Sequence, residues 1–146
     1  MYNINMNNKL IKILLLISML FMCGCLNFFT NSSSTNNDGI DKKYIGTYQG
    51  QITTIENNNI QSQSTATVTV GSGGFVQIRV SGSTINLMVN IYKEDIIKIS
   101  DNLYKASATS SGYIYNFSFS FNNNWLNLYF TRSDNSISEG NLNKIN

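Results

Sequence analysis

From residue 44 to residue 145 the apolar side chains recur at intervals of two almost without interruption. That is the period of a strand with one dry and one wet face, and it has no place for a helix, which needs spacings of three and four. Residues 63–70 set Ala66, Val68 and Val70 against Thr65, Thr67 and Thr69. Residues 75–81 set Val76, Ile78 and Val80 against Gln77 and Arg79. Residues 84–92 alternate Ile85, Leu87, Val89 and Ile91 with Asn86, Met88, Asn90 and Tyr92. Residues 113–121 send Tyr113, Tyr115, Phe117, Phe119 and Phe121 the same way. Further strands are expected over 44–55, 96–99, 103–109, 125–131 and 137–145. Turn chemistry separates them: Gly71-Ser72-Gly73-Gly74, Ser81-Gly82-Ser83, Lys93-Glu94-Asp95, Asp101-Asn102, Ser110-Ser111-Gly112 and Asn122-Asn123-Asn124.

Eight or nine short antiparallel strands form an open sheet, a sandwich or a barrel. Exposed sheet edges are normally guarded by Pro, Lys or bulges. This chain has no Pro, and only 12% of it is charged. The run 113–121 carries no charge and would aggregate as an edge. Closure removes edges. The expected fold is therefore all-β: a monomeric antiparallel meander closed into a small up-and-down barrel of about eight strands over residues 44–146.

The chain ahead of the strands is of another kind. Lys9 and Lys12 accompany an apolar run, residues 13–22, interrupted only by Ser18. The run is too short to cross about 30 Å of hydrocarbon and has the length of a signal-peptide core. It ends in Met22-Cys23-Gly24-Cys25, which resembles the lipobox of bacterial lipoproteins, with a small residue directly before the cysteine to be lipidated. The resemblance implies cleavage after residue 24 and acylation of Cys25. Two acyl chains at ~0.8 kcal/mol per buried CH₂ give lasting membrane attachment. An uncleaved anchor over residues 10–29 is the alternative, and it would place Lys12 and Asn27 inside the span. Translation from Met6 would shorten the leader. The division expected is a signal peptide over 1–24, the lipidated cysteine with a polar tether over 25–43, and the barrel over 44–146. The lipobox implies the bacterial cell envelope. Leu26 is not an inner-membrane retention residue by the enterobacterial rule, which points to the outer membrane.

This reading accounts for both cysteines: Cys23 leaves with the leader and Cys25 carries lipid, so the mature chain forms no internal disulfide. Of 10 Lys+Arg, Lys9 and Lys12 leave as well, so the rest balance the 8 Asp+Glu. There is no basic cluster, which argues against nucleic acid as a partner. With no histidine the chain can build neither a His-based triad nor a His metal site. The neighbouring acids Glu94 and Asp95 lie in a turn, where they read as solvated. Gly71-Ser72-Gly73-Gly74 lacks the following Lys and helix of a phosphate loop. A non-catalytic protein without metal or cofactor is expected.

The opening strand, Tyr44-Ile45-Gly46-Thr47-Tyr48, resembles the Gly-x-Trp segment of lipocalins and the wider calycin group, with Tyr48 in place of the usual Trp. The resemblance implies a basic residue near the C-terminal strands packed across that aromatic, with Arg132 expected in the part and Lys144 as a second candidate. Gly46, Tyr48 and Arg132 would then form the barrel-closing signature. The aromatic row Tyr113, Tyr115, Phe117 and Phe119 is expected either as plain core or as the lining of a lumen for a small apolar ligand. Trp125 and Tyr129 point outward if Leu126, Leu128 and Phe130 point in, and a one-residue slip would reverse this. Three functions fit: a lipocalin-like carrier, a lipoprotein whose loops bind an envelope or host protein, for example as an inhibitor of a host protease or lysozyme, and a surface-coat or adhesion component.

Overall fold

The structure is a computed structural model that describes residues 38–56 and 59–146. Among the described residues nine strands form one sheet: β1 (Gly46–Glu56), β2 (Asn59–Val70), β3 (Val76–Gly82), β4 (Asn86–Ile91), β5 (Ile96–Lys98), β6 (Leu103–Ser110), β7 (Tyr113–Asn122), β8 (Trp125–Arg132) and β9 (Ile137–Lys144). Their order is β4-β3-β2-β1-β9-β8-β7-β6-β5, with every hydrogen-bonded pair antiparallel. The first and last strands pair with each other, and β4 comes round against β6. The sheet is thus a nearly closed barrel whose two edge strands are β4 and β5, not the first and last strands.

Nine strands cannot alternate in direction around a closed ring. Following the antiparallel pairs from β1 to β4 and, the other way, from β1 to β5 reverses direction an odd number of times on both paths. β4 and β5 therefore run the same way: they are two halves of one interrupted strand, and the barrel has eight staves. Lys93-Glu94-Asp95, expected as a reversing turn, is instead a 3₁₀ turn that carries the interruption. Its physical role is one of phase. Ile91 and Ile96 are both buried, yet they are five residues apart and would face opposite sides of an unbroken strand. The 3₁₀ turn resets the alternation so that both enter the core. It also transfers the stave from pairing with β3 to pairing with β6.

The inward face follows the expected alternation. Ala66, Val68, Val70, Val76, Ile78, Val80, Leu126, Leu128 and Phe130 are all buried in one apolar cluster. The outward face is a set of polar cross-strand pairs, among them Gln51 donating to Thr65 at 3.0 Å, Gln77 to Asn90 at 3.0 Å and Ser107 to Asn116 at 2.7 Å. An apolar interior behind a polar exterior suits a barrel in water. A membrane-spanning barrel presents an apolar band outward. Gly50 and Gly140 allow β1 and β9 to close tightly: a Cβ on Gly140 would stand 2.3 Å from the Gln51 carbonyl oxygen, and one on Gly50 would stand 2.5 Å from that of Asn141.

Two boundaries move. The polar tether, expected through residue 43, gives way sooner, because Ile40 is buried and its N–H donates to the Gly74 carbonyl at 3.1 Å. Residues 25–37 lie outside the described residues. Tyr44 also precedes the first strand, in a 3₁₀ turn over Lys42–Tyr44. These residues fold across one end of the barrel. That end, the base, gathers the start of β1, the β2–β3, β5–β6 and β7–β8 turns and the C-terminus, as shown by bonds from Thr47 to Asn146 and from Lys144 to Asn124. The far end carries the β6–β7 and β8–β9 turns.

Candidate functional site

Cys25 and the lipobox lie outside the described residues. The other sequence-derived positions separate into three places.

The aromatic row forms the middle of the core. Tyr115, Phe117 and Phe119 alternate inward along β7 and are 0–3% exposed. Neighbouring rings lie nearly parallel, 6.1 Å apart for Tyr115–Phe117 and 5.9 Å for Phe117–Phe119. Phe130 of β8 leans on the row, 5.4 Å from Phe117. A side chain lining a lumen wide enough for water keeps accessible surface, and these keep almost none. Tyr113 departs from the expected row. It has the right parity but opens β7 directly after the turn, beyond the last core layer, and is 41% exposed. Its ring lies outside, under the Arg132 guanidinium at 4.9 Å.

The base is an aromatic cap. Tyr44 stacks on Phe121 with ring centres 4.4 Å apart, and Tyr48 and Tyr104 meet the same ring edge-on at 5.5 and 5.8 Å. Tyr44 donates to the Asp101 carbonyl at 3.1 Å, and Tyr48 donates to the Tyr44 carbonyl at 3.0 Å. Burial raises the Tyr48 hydroxyl above its ordinary pKa, with Tyr44 adding to the shift. The fully buried Tyr104 hydroxyl, beside Asp41, has no hydrogen-bond partner among the described residues, and burial raises its pKa too. Lys98 ties the cap down by bonding Asp41 at 3.1 Å, with Asp101 at 3.5 Å. Gly46 has φ +144°, and a Cβ there would stand 2.3 Å from the Asn146 carbonyl oxygen, so the start of β1 requires glycine.

Arg132 does not cross Tyr48. The cation over the Tyr48 ring is Lys144, with Nζ 5.7 Å from its centre. Strand direction explains the difference. Tyr48 pairs with Lys144 at the base, whereas Arg132 ends β8 at the far end, paired with Tyr115. There it forms an ion-pair lock. Nε donates to both Asp134 carboxylate oxygens at 2.9 Å, and Nη2 donates to Glu56 at 3.0 Å and to Ser136 Oγ at 3.1 Å. The hydrogen bond from Arg132 holds the Asp134 carboxyl well below the usual carboxylate range, and Asp134 in turn raises the guanidinium further. The lock joins the β8–β9 turn to the end of β1. Two charged partners, a hydroxyl and an aromatic face occupy the guanidinium.

Trp125 and Tyr129 do face outward, with Leu126, Leu128 and Phe130 buried opposite them. Reading the sequence missed the cap, because Ile40-Asp41 sits at the end of a polar run and Tyr104 in a short mixed strand. The one available signal was Ile40 itself, an apolar residue following Asp38-Gly39. Among the described residues no three His, Cys, Asp or Glu side chains converge as metal ligands. No family model, curated protein or solved structure matches the chain.

Proposed function

We propose that this chain is a lipid-anchored, non-catalytic lipoprotein of the bacterial cell envelope that works through the outer surface of a filled, calycin-like barrel, with an envelope or host protein as its partner. The anchor rests on Gly24-Cys25 behind a basic and apolar leader. The preference for the outer surface over a lumen rests on one observation: the residues expected to line a lumen, Tyr115, Phe117 and Phe119, are 0–3% exposed and stacked on one another. Ligand sites run to hundreds of cubic ångströms and leave part of their lining open. The far end offers contact positions instead. Met88 lines a shallow depression with Ser110 and Ser111, and Tyr113 and Ile114 stand exposed just beyond.

Growth with an alkyne fatty acid tests the anchor. The wild type and Cys23→Ser should take up label, and Cys25→Ser should not. An unlabelled wild type would remove the anchor. A photo-crosslinker at Ile114 tests the surface: a discrete protein adduct is expected there, and its absence alongside saturable uptake of a fluorescent fatty acid would return the function to a lumen.

A further inference from the structure

Nine large apolar side chains stand exposed among the described residues, Met88, Ile97, Tyr113 and Ile114 included. Five of them, Phe75, Tyr92, Ile99, Trp125 and Ile145, are 37–62% exposed, and register places all five at the base. Phe75 ends the β2–β3 turn, whose Gly71 N–H donates to its carbonyl. Tyr92 follows Ile91, which pairs with Val76. Ile99 follows β5 and donates to Leu103. Trp125 opens β8 opposite Asn122, and Ile145 follows β9 and donates to Thr47. Lys42, Lys43, Lys93, Lys98 and Lys144 belong to the same end. Asp38, where the described chain begins, enters there too, beside Gly74.

We infer that the base is a membrane-contact face, seated in the headgroup region of the bilayer that holds Cys25. The inference rests on the lipoprotein reading above. Residues 25–38 span at most about 45 Å even when fully extended. The anchor therefore keeps the base at a high effective concentration at the bilayer, where weak affinity is enough to seat it. A rim of Trp, Tyr and long-stemmed Lys is the composition of an interfacial belt, in which amphipathic rings lie at headgroup depth and lysine stems run outward to water. Asp38, Asp41, Glu94, Asp95 and Asp101 at this end match the lysines in number, so the contact is interfacial and apolar, not electrostatic. The far end, with Tyr113 and Ile114, then faces away from the membrane.

Trp125 is the only tryptophan in the chain, so its fluorescence reports the base alone. The full acylated protein is reconstituted into phosphatidylcholine vesicles with bromine near the headgroup end of the acyl chains, with and without phosphatidylglycerol. Acylation of Cys25 is read by peptide mass on the same sample. The expected result is a blue-shifted Trp125 emission quenched by about half, as for an indole at headgroup depth, equally in both lipid mixtures. The variant Tyr92→Ser/Ile99→Ser/Ile145→Ser, at exposed positions, should be acylated but lose most of the quenching. Acylated protein with unquenched Trp125 overturns this inference alone. Absence of acyl on Cys25 overturns the anchor and this inference together.

Discussion

The two ends of the barrel are closed by different chemistry. At the base, chain that precedes the sheet folds back and stacks Tyr44 on Phe121, so closure is a matter of ring packing. At the far end one guanidinium, Arg132, joins Glu56, Asp134 and Ser136 across two elements. The first closure depends on buried area and shape and is indifferent to pH over the range where proteins are usually handled. The second depends on charge. A single small barrel thus shows how dry packing and a half-exposed ion-pair network do the same job with different sensitivities.

The largest effect is expected from breaking the base. Phe121→Ala removes the ring that Tyr44, Tyr48 and Tyr104 all touch and should lower stability by about 4 kcal/mol in urea denaturation. Arg132→Met should cost about 2 kcal/mol near neutral pH, since it leaves Glu56 and Asp134 without their cation. The pH dependence separates the two ends. The folded-state pKa of Asp134 is depressed, so its contribution is present above the ordinary carboxylate pKa of about 4 and is lost as pH falls toward the folded value. Denaturation series at falling pH should show the Arg132→Met deficit shrinking in acid while the Phe121→Ala deficit holds.

Smaller changes sharpen the contrast. Tyr104→Phe deletes a buried hydroxyl that has no partner among the described residues and should raise stability by up to about 1 kcal/mol in the same assay, because it removes a desolvated polar group without opening a cavity. Lys98→Met cuts the exposed ties from the β5–β6 region to Asp41 and Asp101 and should leave the denaturation midpoint unchanged within error, since exposed pairs are screened by water and salt. A clear loss there would mean that charge as well as packing holds the base.

Most of the strands were legible because each stave alternates on its own, and a period of two survives wherever one face is wet. The interrupted stave was not. Lys93-Glu94-Asp95 has the composition of a reversing turn, and only the parity of the pairings reveals that the chain keeps its direction through it. The odd spacing between Ile91 and Ile96 was the one trace in the sequence. The phase of Trp125 and Tyr129 was legible from three buried neighbours of opposite parity. Tyr113 was misplaced because alternation gives direction but not depth, and the last residue of a correct phase can stand beyond the core. Its position after β8 puts Arg132 forward as the cation across Tyr48, but which end of the barrel a residue reaches depends on strand direction and register. The cap was hidden for a related reason: Ile40 and Tyr44 are held by partners 34 to 77 residues away, beyond any local pattern.

The preference for the outer surface depends on the filled interior, and native mass spectrometry of the protein purified from the cells that produce it tests that interior most directly. The expected result is the mass of the mature polypeptide with whatever acyl groups the proposed anchor adds, no further adduct, and no saturable uptake of a fluorescent fatty acid. A stoichiometric apolar adduct that survives exchange of the surrounding detergent would contradict it, because room for such a ligand would require Tyr115, Phe117 and Phe119 to be parted.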